Sequence, residues 1–238
     1  MSDNRQVWLE AQAAEQAYWQ QTRGRDYEFL RITFEKAVAL EFALRHAPEL
    51  AEPRPAGSRA AFEMGIGPLR TGVISLLPHA EDWRLVGIDP LEPVEPKLGL
   101  LCGAMLSAID KLDYSHIVAQ GEQVPQPDAS FDLVVCSNVL EHVESPEGIA
   151  RELRRLVKPD GLALVSENCL SEVGYVRKRL KGRQADPAHP HTFTMGRLRR
   201  LLERGGFEVT HQTPLRYELC ARLIGRASRR AVLARPVA

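Results

Sequence analysis

The alternation of apolar and polar positions divides the chain into two textures. Residues 5–22 and 26–47 carry helical patterns. In the second stretch Phe29, Leu30, Ile32, Phe34, Ala37, Val38, Leu40, Phe42 and Ala43 recur at mixed three- and four-residue steps. Ala47-Pro48-Glu49, then Pro53 and Pro55, end that helix, and 51–58 reads as a short Pro/Gly linker. Beyond it, short apolar runs alternate with helical patterns. The runs at 60–64, 84–88, 115–118, 131–136, 162–166 and 207–210 read as buried strands bounded by turn residues. Strands separated by helices predict βαβ units around a mostly parallel sheet. The organisation expected is a helical cap and linker over 1–58, then one α/β domain over 59–238.

Composition adds little until it is resolved along the chain. The 238 residues suffice for a real core, and Lys+Arg and Asp+Glu both total 31, so net charge selects no partner. Residues 177–238, however, hold 15 Lys/Arg against four Asp/Glu, and 1–176 hold 16 against 27. Such asymmetry marks either an anionic partner or a solvated basic face balanced by an acidic one. No apolar run approaches the ~18 residues of a membrane helix. The start, Met1-Ser2-Asp3-Asn4-Arg5, leads into a polar stretch without an apolar signal core, so a cytoplasmic location is expected. The cysteines at 102, 136, 169 and 220 form no C-x-x-C pair, which argues against zinc staples and thiol–disulfide chemistry. Cys136, inside the run 133–136, reads as a small buried hydrophobe.

Candidate chemistry begins at the first strand. Glu63-Met64-Gly65-Ile66-Gly67-Pro68 runs a strand into a glycine turn, and 69–77 carries a helical pattern after it. Glycines let a ligand lie against bare backbone, and a helix start would add free N–H groups and partial positive charge. A dinucleotide fingerprint would need glycine at 70, where Arg70 stands. Glu63, two residues before Gly65, would repel a pyrophosphate and suits a ligand with a cationic amino group. The pattern therefore disfavours NAD and favours a nucleoside that bears an amino acid. The second apolar run ends in Asp89, 22 residues past Gly67. A carboxylate there can accept both ribose hydroxyls.

Downstream lie Gln120-Gly121, Phe131-Asp132-Leu133-Val134, then Asn138-Val139-Leu140-Glu141-His142, and Lys158-Pro159-Asp160-Gly161 leading into a strand. In this order the markers resemble a class I S-adenosylmethionine-dependent methyltransferase of the large type 11 bacterial group, over roughly residues 59–212. The resemblance implies a Rossmann-like seven-stranded sheet ordered 3-2-1-4-5-7-6, with 207–210 as the sixth strand and 231–236 as the seventh. It implies S-adenosylmethionine as cofactor. Glu63, Gly65 and Gly67 would hold its methionine part, and Asp89 its ribose. Gln120 and Gly121 would lie at its adenine, where the family usually has Asp-Ala. Asn138 would face its amino group.

Methyl transfer mainly needs alignment, and a hydroxyl acceptor also needs a base. His142 at the fourth strand's mouth, and His189 and His191 before the helix at 195–204, are the imidazoles placed for it. A metal held by Glu141, His142 and a later histidine is not expected, because Asn138 stands where metal-dependent relatives have a first glutamate. Trp8, Tyr18, Trp19, Tyr27 and Phe29 are candidates to line an acceptor pocket, with Trp19 and Phe29 read as core. Leu219, Cys220, Leu223, Ile224 and Ala227 form one helical face, and Arg222, Arg226, Arg229 and Arg230 another. This basic segment permits peripheral membrane contact, an anionic acceptor, or simple packing on the sheet. The reading is methyl transfer to a small or carrier-linked acceptor, expected at oxygen. Its rivals are a catalytically silent cofactor-binding protein and an RNA methyltransferase. Nucleic acid is not the expected partner, since no aromatic-and-basic RNA-binding module is present.

Overall fold

The computed structural model describes residues 3–22, 25–181, 189–213 and 228–237. Two helices, α1 (Asp3–Thr22) and α2 (Asp26–His46), precede the sheet. The strands are β1 (Arg59–Met64), β2 (Trp83–Asp89), β3 (Tyr114–Val118), β4 (Phe131–Ser137), β5 (Val157–Cys169), β6 (Phe207–Gln212) and β7 (Ser228–Pro236). Between them run α3 (Leu100–Ile109), α4 (Pro146–Leu156), α5 (Glu172–Lys181) and α6 (Met195–Arg204). The sheet order is β3-β2-β1-β4-β5-β7-β6, as the resemblance implied. Among the described residues, only β7 runs against its neighbours, β5 and β6.

Continuous apolar runs form these central strands because both faces of the sheet are covered. Successive residues alternate between two cores. Phe62, Val134 and Cys136 face one side, where Ile149 and Leu153 of α4 and Leu198 and Leu202 of α6 pack. Ala61, Leu133 and Val135 face the other, against Leu40, Phe42 and Ala43 of α2. Helix α2 therefore shares the sheet's own core. Each fully buried side chain of this size contributes roughly 1.5–3 kcal/mol. Among the described residues no helix is long and apolar enough to cross a membrane.

Three expectations change. The 69–77 pattern forms no α-helix: only a 3-10 turn, Ile74–Leu76, follows the glycine turn. Pro68, Gly72 and Pro78 punctuate that stretch, and Arg70 sits at φ 59°, which breaks any helical ladder. The Pro159-Asp160-Gly161 turn is a bulge within β5, where the β4–β5 register slips between Phe131 and Leu133. Arg229 and Arg230 belong to β7, paired with Asn168 and Glu167 of β5, not to a helix. The rest of the proposed amphipathic segment, with Leu219, Cys220, Leu223, Ile224 and Ala227 of its apolar face and Arg222 and Arg226 of its basic face, lies outside the described residues.

Candidate functional site

The order of strands reverses between β1 and β4, and at such a switch the carboxyl ends of parallel strands open a crevice. Here that crevice is a cleft of about 420 Å³. The strand ends supply its floor: Met64 and Gly65, Ile88 and Asp89, Ser137 and Asn138, and Asn168. Helices α1 and α2 roof it with Trp8, Trp19 and Lys36.

The glycine turn has the geometry a ligand cradle needs. Gly65 and Gly67 sit at φ 73° and 77°. A Cβ on Gly65 would run into Val139 Cγ2, and one on Gly67 would lie 3.2 Å from the Trp19 ring. Side chains at these positions would fill the cleft as well as strain the backbone. The Gly67 amide donates to Asp89 Oδ2 at 2.9 Å, and the Leu91 amide donates to Oδ1 at 3.0 Å. Burial pushes the Asp89 carboxyl up to about 6, against the amides of Leu91 and Gly67 and the Lys36 charge, which favour ionisation.

Glu63 lies elsewhere than expected. It is fully buried behind the cleft wall and does not line it. Its Oε2 accepts from the Ile74 amide at 3.0 Å, and its Oε1 stands 3.8 Å from Lys36 Nζ. Gln120 and Gly121 do line the cleft, with the Gln120 side-chain carbonyl accepting from Arg5 of α1 at 3.3 Å.

The loop after β4 brings the polar groups together. Asn138 takes a left-handed backbone, φ 61°, which asparagine tolerates better than most residues. Its amide donates to Ser166 O at 2.7 Å. The Leu140 amide donates to Glu167 Oε2 at 2.8 Å, so a fully buried carboxyl holds the loop from beneath. Burial, then the nearby Glu141 carboxylate, pushes Glu167 up to about 8. The Asn168 amide group donates to both Asn138 Oδ1 at 2.8 Å and Glu141 Oε1 at 2.9 Å.

His142 emerges from this loop into the cleft between two carboxylates. Its Nδ1 lies 3.5 Å from Glu15 Oε1 of α1, and its Nε2 lies 3.8 Å from Glu141 Oε1. His189 also lines the cleft, with Nε2 3.9 Å from Glu141 Oε1 and its ring centroid 4.7 Å from that of His142. His191 does not line it: its Nε2 meets Val143 O at 2.8 Å, and its amide donates to Glu141 O. His191 thus ties its segment to the β4 loop and brings His189 to His142, a correction to its reading as a base. Glu15, His142 and His189 offer ligand-type atoms within 4.8 Å of one another. Ligand atoms around a tetrahedral zinc are only ~3.4 Å apart, so a metal would have to draw the three together.

Of the aromatics, Trp8, Tyr18 and Trp19 line the cleft, and Trp19 also packs, half-buried, on the core as expected. Tyr27 is 73% exposed, and Phe29 packs with Leu69, Cys102 and Leu106. Glu15, Lys36 and Asn168 escaped the sequence reading. None of them belongs to a motif, and only its place in the fold makes it visible.

Comparison with known proteins agrees with this geometry. A family model described as a methyltransferase domain matches residues 66–212. The mitochondrial ubiquinone biosynthesis O-methyltransferase of Schizosaccharomyces pombe is 34% identical over 86 residues, 35% of this chain and 30% of that protein. A thiol S-methyltransferase of Mus musculus is 38% identical over 120 residues, 50% of this chain and 46% of that one. The chain thus spans less than half the length of the curated relatives it matches. The Burkholderia thailandensis 1,6-didemethyltoxoflavin-N1-methyltransferase, solved with 1,6-didemethyltoxoflavin and S-adenosylhomocysteine, superposes with a TM-score of 0.65. It is 16% identical, and the match covers 100% of this chain and 92% of that one, a likeness of fold. Since the family model matches more than half of its length, the chain belongs to the methyltransferase-domain family.

Proposed function

We propose that the chain binds S-adenosylmethionine in the cleft and transfers its methyl group to an oxygen nucleophile of a small or carrier-linked acceptor. The observation that carries this reading is one cleft lined by two unlike sets of groups. One is the bare turn of Gly65 and Gly67 with the Asp89 carboxylate; the other is His142, between Glu15 and Glu141. The residues present fit the cofactor. The cradle is of the kind a Cβ would fill, and Asp89 offers an acceptor for ribose hydroxyls.

The bound cofactor supplies an electrophilic methyl group on a sulfonium with a good leaving group. The protein's own work is to bind, align and exclude water. Asp89 accepts the ribose hydroxyls, while Trp8, Trp19 and Val139 wall the cleft. For a hydroxyl acceptor, Glu15 holds the Nδ1–H tautomer of His142, which leaves Nε2 to take the proton. Glu141, beside that atom, stabilises the imidazolium that results. His189, against the same carboxylate, is the second candidate.

The test is turnover of cofactor labelled in its methyl group, with hydroxyl, thiol and amine acceptors presented separately. Label transferred to a hydroxyl class, and lost with His142→Ala, is expected. Transfer to thiols or amines alone would overturn the oxygen assignment. Cofactor binding without transfer to any class would favour the silent binding protein.

A further inference from the structure

A glycine turn of this kind is expected to be braced by the helix that follows it, yet here no α-helix follows. The segment from Ile66 to Gly72 carries two left-handed residues, Gly67 and Arg70, and its carbonyls do not enter a helical ladder. Something else must hold it. Lys36, on the cap helix α2, is 8% exposed, and its ammonium reaches the turn from the roof of the cleft. Nζ donates to Ile66 O at 3.1 Å and to Thr71 O at 2.5 Å, one carbonyl on each limb of the loop. It also stands 3.8 Å from Glu63 Oε1, so the buried ammonium has a countercharge.

The carbonyl of Ile66 and the amide of Gly67 belong to one peptide unit. Lys36 grips its oxygen, and Asp89 Oδ2 accepts from its N–H at 2.9 Å. That peptide is pinned from both sides, each bond polarising the other. Without the ammonium, the freedom of the adjoining glycine lets the peptide rotate, and a rotated peptide no longer presents its N–H to Asp89.

We infer that Lys36 is a positioning residue of the cofactor cleft, clasping both limbs of the glycine loop from the cap and thereby fixing the Gly67–Asp89 contact. The inference rests on the proposed cofactor position and adds a residue to it. It makes α2 part of the binding machinery: Asp89 is held in its binding geometry by a group 53 residues earlier, on the cap helix.

The experiment uses the full chain. Lys36→Met alone strands the Glu63 carboxylate in the core, so the working variant is Lys36→Met with Glu63→Gln, which removes both charges together. Two quantities are read: exchange of the Gly67 amide hydrogen in the ligand-free protein, and affinity for S-adenosylhomocysteine by calorimetry. The expected result is at least tenfold faster exchange and at least tenfold weaker binding. On an Asp89→Asn background the same pair of substitutions should change affinity by less than about threefold, because the contact through which Lys36 acts is already weakened. Exchange and affinity both within twofold of wild type would overturn the inference. So would an undiminished loss on the Asp89→Asn background, which would mark a general structural role. A wild-type chain that binds no S-adenosylhomocysteine would strike at the cofactor reading instead, and the Gly67 exchange rate would still decide the clasp.

Discussion

Gly67 and Asp89, 22 residues apart in sequence, meet through a 2.9 Å hydrogen bond from the glycine amide to the carboxylate. The turn after β1 and the end of β2 are thereby one unit, and the acid is fixed by the protein's own backbone. Burial lifts Asp89 to about 6, so acidification within the biochemical range neutralises it. An ionised Asp89 is the form that accepts ribose hydroxyls. Cofactor affinity should therefore fall as pH drops through about 6, by about tenfold between pH 7.5 and pH 5. In the ligand-free chain the sign is reversed. The native state binds that proton more tightly than the unfolded chain, so this group's contribution to stability is lost as pH rises from about 4 to about 6. Titrations with S-adenosylhomocysteine across this range, on wild type and Asp89→Asn, check both slope and origin: the variant should bind weakly at every pH, without the break.

Gly65→Ala should abolish cofactor binding, because its Cβ meets Val139 Cγ2 and its φ of 73° is strained for alanine by ~1–2 kcal/mol. Adding Val139→Ala removes the overlap with Cγ2 and leaves the strain with one tight 3.3 Å contact to Cβ of residue 139. The double variant should regain stability in urea denaturation, and a double variant no better than the single one would refute the steric account.

The strands were legible in sequence because a sheet covered on both faces demands uninterrupted apolar runs, as at 131–136. Gly65, Gly67 and Asp89 were legible because turn and strand-end positions constrain residue type. The helix expected at 69–77 was not there: its apolar spacing was real, but Val73, Ile74 and Leu77 enter the core from turns. Lys36 and Glu15 were illegible for another reason. Each sits on a helix with ordinary charged neighbours, and only the packing of the cap over the sheet brings it to the cleft. Trp19 was legible only in part, because a residue packed on the core can also wall a cavity.

Glu167 offers a test of the loop that carries His142. Its carboxyl, raised to about 8 by burial and then by the Glu141 carboxylate, is expected to be protonated at neutral pH while it accepts from the Leu140 amide. Glu167→Gln keeps that acceptor and should leave stability at pH 7 within about 1 kcal/mol of wild type. Because the acid is raised, wild type should lose stability as pH climbs toward 8, by up to ~1.4 kcal/mol per pH unit, and the glutamine variant should lack that slope. Urea denaturation at pH 6.5 and 9 measures it. A glutamine variant already several kcal/mol weaker at pH 7 would mean that Glu167 is ionised in the fold.

The histidines separate by their surroundings. His142→Ala should lower turnover of a hydroxyl acceptor by about 10²–10⁴-fold with little change in cofactor affinity. His189→Ala should have a similar but smaller effect. His191→Ala, which removes the bond to Val143 O, should act by loosening the segment and so lower thermal stability along with turnover. Turnover and melting temperature measured together distinguish the three. Wild-type turnover in both His142→Ala and His189→Ala would leave alignment alone as the source of rate.

On the proposed function the cleft takes a nucleoside bearing an amino acid. Calorimetric titration of the full chain with S-adenosylhomocysteine and, separately, with NAD measures this at the cleft itself. Saturable binding of S-adenosylhomocysteine, weakened tenfold or more by Asp89→Ala, with no heat from NAD, is the result expected. Saturable binding of NAD with none of S-adenosylhomocysteine would overturn the proposed cofactor.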